Sequence, residues 1–115
     1  MVLGVGVDLV NVTRFEEHVL KQPKLLERLF VPSELDAPIK TIAGRFAAKE
    51  ALIKALGGSD GVAWHEVEVS KNASGKPFIS TSGQTAETVR AAGISQLHLS
   101  ISHDAEMAVA MVVAE

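Results

Sequence analysis

The stretch from about Thr41 to Leu56 constrains the fold of this chain more than any other. It is rich in alanine, Ile42, Phe46, Ile53 and Leu56 recur at helical spacing, and Gly57-Gly58 follows as a stop. Alanine has the best intrinsic helix propensity and glycine commonly ends a helix, so the pattern predicts one long helix. Aromatic residues make up only 4 % of the 115, namely Trp64, Phe15, Phe30, Phe46 and Phe78. The core around that helix must therefore be built from Val, Ala, Leu and Ile.

The rest of the chain alternates short elements. Val2 to Val10 is rich in β-branched residues and predicts a buried strand ending on the carboxylate of Asp8. Gly4 and Gly6 lie along one face of it, where something can approach the backbone closely. Thr13-Arg14-Phe15-Glu16 has the form of a capping box, with Thr13 as cap of a helix running to about Lys21. A second short helix is predicted from Pro23, turning Leu25, Leu26 and Leu29 inward. Pro32 and Pro38 bracket a turn or very short helix. Trp64 to Ser70 and Lys76 to Ser80 read as paired strands across the turn Asn72-Ala73-Ser74-Gly75, and a helix from about Ser82 to Ala92 closes at Gly93. Gln96 to His103 alternates, with Leu97, Leu99 and Ile101 on one side and His98, Ser100 and Ser102 on the other. Met107 to Ala114 is continuously apolar and suits a sheet centre. The order β-α-α-α-β-β-α-β-β predicts a single α+β domain over residues 1–115, one long and several short helices packed on an antiparallel sheet.

A formal charge of -3 and the absence of a helix-turn-helix, zinc-finger or aromatic-basic motif argue against nucleic-acid binding. With no cysteine there are no disulfides and no thiolate metal sites. The apolar run Met1 to Val7 is too short for a signal peptide or a membrane span, so a soluble cytoplasmic protein without membrane partners is expected.

Several residues invite a chemical reading, and each has a plain one. Phe46, Glu50 and Lys54 form one column on the long helix, with Arg45 and Lys49 in the next. Glu50 and Lys54 read equally as an exposed i,i+4 pair. Asp8 or Asn11 reads as a helix cap. Asp8 with Glu50 also reads as two hard oxygen donors for Mg²⁺, which completes its shell with waters and substrate phosphates. His103 is a turn residue or a phosphate contact, and Gly75-Lys76-Pro77 a hairpin turn. From Arg14 to Arg28 the basic residues Arg14, Lys21, Lys24 and Arg28 face the acidic Glu16, Glu17 and Glu27, a near-balance typical of a solvated surface.

Taken together, the segments resemble the holo-acyl-carrier-protein synthases, the small bacterial class of 4′-phosphopantetheinyl transferases. The resemblance runs through Gly4-Val5-Gly6-Val7-Asp8-Leu9-Val10, Arg14 and Ser33-Glu34-Leu35-Asp36. It is strongest in Gly44-Arg45-Phe46-Ala47-Ala48-Lys49-Glu50-Ala51 with Lys54-Ala55-Leu56. It continues in Glu66-Val67-Glu68-Val69, Gly75-Lys76-Pro77 and Ser100-Ile101-Ser102-His103.

That resemblance implies transfer of the phosphopantetheine arm of coenzyme A to a serine of an acyl carrier protein, or of a carrier domain of a fatty acid synthase. Adenosine 3′,5′-bisphosphate would leave. It implies Asp8 and Glu50 as ligands of Mg²⁺ or Mn²⁺, and Lys54 as a catalytic group neutralising or protonating the leaving phosphate. Arg45, Lys76 and His103 would be further coenzyme A contacts, His103 near the 3′-phosphate. It implies a homotrimer with coenzyme A sites between subunits, and carrier docking near Arg14. The segment Ala37 to Ala43 and the loop Gly57 to Gly61 are shorter than in many such enzymes, and Asp60 is acidic there. By the resemblance these loops border the nucleotide or the carrier, so nucleotide affinity and carrier choice are where this chain is expected to depart from such enzymes. A non-catalytic binder of coenzyme A or carrier protein, and a phosphohydrolase releasing the arm to water, are the two alternatives.

Overall fold

The computed structural model describes every residue, Met1–Glu115. Five strands and four α-helices follow the expected order: β1 (Gly4–Asn11), α1 (Val12–Lys21), α2 (Leu25–Leu29), α3 (Ile39–Leu56), β2 (Val67–Lys71), β3 (Pro77–Thr81), α4 (Gly83–Ala91), β4 (Leu97–Asp104) and β5 (Met107–Ala114). Short 3₁₀ turns occupy Pro32–Glu34 and Trp64–Glu66. No helix is long and apolar enough to cross a membrane.

Two antiparallel sheets form where the sequence suggested one. β5 lies at the centre of a three-stranded sheet, between β1 and β4, while β2 and β3 pair only with each other. The central place of β5 follows from its composition: Ala108, Ala110, Val112 and Ala114 are completely buried on its inner face. β4 keeps its alternation, with Leu99 buried and His98, Ser100 and Ser102 exposed.

The alanines of α3 do more than favour a helix. Ala43, Ala47, Ala48 and Ala51 are completely buried, and the helix crosses β1 where Gly4 and Gly6 face it. A Cβ built on Gly6 would lie 2.7 Å from Ala55 N and nearer still to Ala51 O, so only glycine admits the helix this close. Of the large residues expected inward on α3, Ile42 is buried, whereas Phe46, Ile53 and Leu56 are half-buried at its flanks. The contact is made by backbone and methyl groups.

Several boundaries differ from the sequence reading. β1 pairs with β5 all the way from Gly4 to Asn11, so Asp8 sits within the strand rather than at its end. β1 is also buried on one face only: Val5, Val7 and Leu9 point outward and are 52 %, 54 % and 63 % exposed in the single chain. α1 springs directly from the strand end, with Asn11 as its cap, its side-chain oxygen accepting from Arg14 N at 2.9 Å. Thr13 is thus already inside the helix, and its hydroxyl donates to Glu106. Pro23 belongs to the turn before α2, because Leu25 N bonds back to Gln22 O. Trp64 to Glu66 is not strand: Glu66 turns aside so that its carboxylate accepts from Gln84 N, Thr85 N and the Thr85 hydroxyl, capping α4 from outside.

Candidate active site

Strand and helix repeats bring the two carboxylates together. Along β1, Gly4, Gly6 and Asp8 share the face toward α3, two residues apart and about 6.6 Å per step. One helical turn of four residues advances about 6 Å, and the helix runs the opposite way past Gly4 at Ala55 and Gly6 at Ala51. The next step of the strand, Asp8, therefore meets the turn that carries Ala47 to Glu50. Asp8 and Glu50 line one open cleft of about 360 Å³, together with Asn11, Arg14, His18 and Phe46. Its aromatic wall is Phe15 stacked on Phe46 (ring centroids 5.4 Å); behind it, outside the cleft, Trp64 tilts against Phe46 at 6.0 Å.

The electrostatics of the pair are asymmetric. Burial and, next, the neighbouring Asp8 charge raise the Glu50 carboxyl above its ordinary range, while Lys54 acts in the opposite sense. Lys54 Nζ donates to Asp8 Oδ1 and to Val7 O, each at 3.0 Å. The exposed Glu50–Lys54 pair suggested by their spacing does not form; Lys54 reaches across to the strand instead. Glu50 is left with no protein donor among the side-chain hydrogen bonds of the chain. Half-buried, unpaired and beside a second carboxylate, it is a group that a cation would stabilise. No three His, Asp or Glu side chains gather anywhere. Two carboxylates with remaining positions open to water and phosphate fit Mg²⁺, which is seldom enclosed by protein alone.

The other sequence candidates lie elsewhere. Arg45 and His103 line a second cleft of about 220 Å³, with Thr41, Ser70, Lys71 and Pro77. Arg45 stands about 140° round α3 from Glu50, so the two clefts open on different sides of the helix. Its guanidinium donates to Glu34 O. The His103 ring donates from Nε2 to Lys40 O at 3.0 Å and packs on Gly44, where a Cβ would lie 3.0 Å from that nitrogen. Lys76 leaves the hairpin turn, in which Asn72 Oδ1 accepts from Ser74 N and Lys76 N, and faces a third cleft with Phe78, His98 and Met111. Pro77 lines both the second and third clefts. In a single chain, then, Asp8, Glu50 and Lys54 come together, Arg45 and His103 come together, and Lys76 borders the latter pair.

Sequence reasoning missed a buried ion pair. Lys49, placed above in a charged column, has a side chain with no exposed surface and meets the equally buried Glu34 at 2.8 Å. The signal was available: Lys49 is seven residues beyond Ile42, only about 20° round the helix from a core position.

Comparisons with known proteins agree with this architecture. Residues 4–111 match the family model of the 4′-phosphopantetheinyl transferase superfamily. The chain is 48 % identical over 115 residues to the holo-[acyl-carrier-protein] synthase of Clavibacter sepedonicus, spanning 100 % of this chain and 97 % of that one. It superposes on the crystal structure of the Neisseria meningitidis holo-[acyl-carrier-protein] synthase with a TM-score of 0.92 at 31 % identity, covering 100 % and 99 % of the two chains. The Helicobacter pylori enzyme of that name, solved in complex with coenzyme A, gives a TM-score of 0.86 at 37 % identity over 96 % and 99 %.

Proposed function

The chain belongs to the 4′-phosphopantetheinyl transferase superfamily, and from that premise we propose that it is a holo-[acyl-carrier-protein] synthase acting through the Asp8–Glu50 cleft. The observation that carries this reading is the meeting of Asp8 and an unpaired Glu50 in one open cleft, with Lys54 bonded to Asp8 beside it. The reaction joins a carrier serine oxygen to the phosphorus bearing the pantetheine arm. The bridging P–O bond of the coenzyme A diphosphate breaks, adenosine 3′,5′-bisphosphate departs and the serine proton is released.

Phosphoryl chemistry of this kind depends on positioned positive charge more than on a covalent partner. A Mg²⁺ or Mn²⁺ ion held by Asp8 and Glu50 would supply charge against the diphosphate oxygens. Lys54, on its flexible stem beside Asp8, carries a second positive charge that can turn to the leaving phosphate and donate a proton to it. Phe15 and Phe46 wall the cleft on one side, with Trp64 packed behind Phe46. Arg45, His103 and Lys76 are assigned to the 3′-phosphate and nucleotide end of coenzyme A.

Because those residues open on another side of α3, the complete site needs a second copy of the chain. The outer face of the three-stranded sheet supports that assembly. Val5, Val7 and Leu9 stand beside Val113, Met111 and Val109 of β5, a contiguous apolar surface of a kind seldom left in water. We assign it to the interface of a homotrimer in which the Asp8–Glu50 cleft of one subunit faces the Arg45–His103 cleft of the next. The acyl carrier protein is placed against the exposed basic residues Arg14, Lys21, Lys24 and Arg28, where complementary charge chiefly speeds encounter.

The direct test is to incubate apo carrier protein, coenzyme A and Mg²⁺ with the chain and weigh the carrier. A mass gain equal to the phosphopantetheine arm is expected. An unchanged carrier across several carrier proteins contradicts the reading, and free phosphopantetheine formed without carrier would instead indicate a hydrolase.

A further inference from the structure

The buried pair Lys49–Glu34 has no part in the chemistry just described, yet it ties together more separate segments than any other polar group in the chain. Lys49 Nζ donates to Leu29 O at the end of α2 (2.7 Å), to Glu34 Oε1 in the first 3₁₀ turn (2.8 Å) and to Trp64 O in the second (3.0 Å). Three acceptors use all three protons of an ammonium group, so the geometry requires the charged form. The Phe30 ring packs against it, 4.8 Å from nitrogen to centroid. Both oxygens of Glu34 are engaged as well, Oε1 accepting also from Val31 N and Oε2 from Val69 N.

Stability alone does not account for such a pair. Apolar residues of similar volume generally serve a core as well or better, because both charges must be desolvated. What an apolar core does not provide is a unique position: a methylene surface tolerates sliding, whereas three directed hydrogen bonds fix three segments against one atom. α2 has most need of this. At five residues it is too short to hold its own place. Its final carbonyls are taken from outside, Leu29 O by Lys49 and Glu27 O by the His65 ring. Lys49 also immediately precedes Glu50, so the anchor of α2 and the active-site carboxylate belong to the same helical turn.

We propose that Lys49, with Glu34 as its buried counter-charge, is a positioning residue that fixes the α2 arm relative to Glu50 and so sets where the carrier serine arrives. This rests on the assignment of Lys24, Arg28 and the neighbouring basic residues to carrier docking. The pair does not touch substrate; it acts through the place of the arm.

The test uses the full-length protein and the double variant Lys49→Met with Glu34→Gln. That variant removes both charges together and retains an acceptor for Val31 N or Val69 N, avoiding the unpaired buried charge a single substitution would leave. Native melting behaviour is expected. KM for apo carrier protein should rise about tenfold, the equivalent of one decade in affinity, with KM for coenzyme A and kcat near the parent values. Hydrogen exchange should quicken at Leu26 to Phe30 and not at Ala47 to Leu52. A purely structural role would weaken both substrates and the melting temperature together, and that pattern, or unchanged carrier KM with unchanged exchange in α2, overturns the proposal. Arg28→Glu serves as the control for docking. If it leaves carrier KM unaltered, the docking assignment fails, and the exchange measurement alone then decides whether Lys49 fixes α2.

Discussion

Lys49 and Glu66 show how its surroundings decide what a charged residue does. Lys49 is held in the core, where burial pushes its ammonium below the ordinary lysine range and Glu34 only partly offsets that. Substituting Lys49→Met alone leaves Glu34 buried and unpaired, so a loss of about 3–5 kcal/mol is expected in urea unfolding, much of the stability of a small domain. Glu66 works at the surface. Hydrogen bonds from the Thr85 amide and hydroxyl, then from Gln84 N, hold its carboxyl below the usual carboxylate value of 4.5. A carboxyl depressed by folding contributes stability that is complete above its unfolded pKa and is lost as the pH falls through its folded value. Glu66→Gln should therefore lower the melting temperature at neutral pH, with the gap to the parent protein narrowing as the pH is taken below about 4.5. A gap that widens on acidification would contradict this account of the cap. At this scale the sequence was legible where a residue sits in a distinctive motif, as Asp8, Glu50 and Lys54 do. It was not legible for Lys49, because charge on a helix suggests solvent until its angle to Ile42 is measured.

At the scale of elements, α3 and β1 behave as a unit whose contact is made of absent side chains. Gly6 has an ordinary backbone conformation, so Gly6→Ala imposes no torsional strain; its methyl would simply meet the Ala51 carbonyl. A loss of about 1–3 kcal/mol or more is expected from overpacking. Because the same contact sets Asp8 against Glu50, transferase activity should fall further than stability alone explains, as chemical denaturation and rate measured on one preparation would show. Element order and the place of β5 followed from periodicity and composition. The junctions did not, because β1 passes into α1 without a loop and the capping role fell to Asn11 rather than Thr13. Glu66 escaped notice as a cap because its partners, Gln84 and Thr85, lie far along the chain.

For the whole molecule, the arrangement of clefts matters most. One chain carries Asp8, Glu50 and Lys54 on one side of α3 and Arg45 with His103 on another, and an apolar sheet face remains uncovered. The proposed trimer accounts for both facts. Val7→Glu, on that outer face, should yield a folded single chain by light scattering and lose activity while Asp8 and Glu50 stay intact. A variant that keeps three-chain mass would remove this face from the interface. Which sides of a helix meet across subunits is set by surfaces that no periodicity in one chain describes, which is why the sequence pointed to the residues but not to their division between clefts. The central claim is that Asp8 and Glu50 act as one unit on the diphosphate, and a double-mutant cycle of the transfer rate tests it most directly. Asp8→Asn and Glu50→Gln should each abolish nearly all transfer, and the pair combined should lose no more than the worse single variant. Losses that multiply, or a Glu50→Gln enzyme that still modifies the carrier at the parent rate, would contradict it.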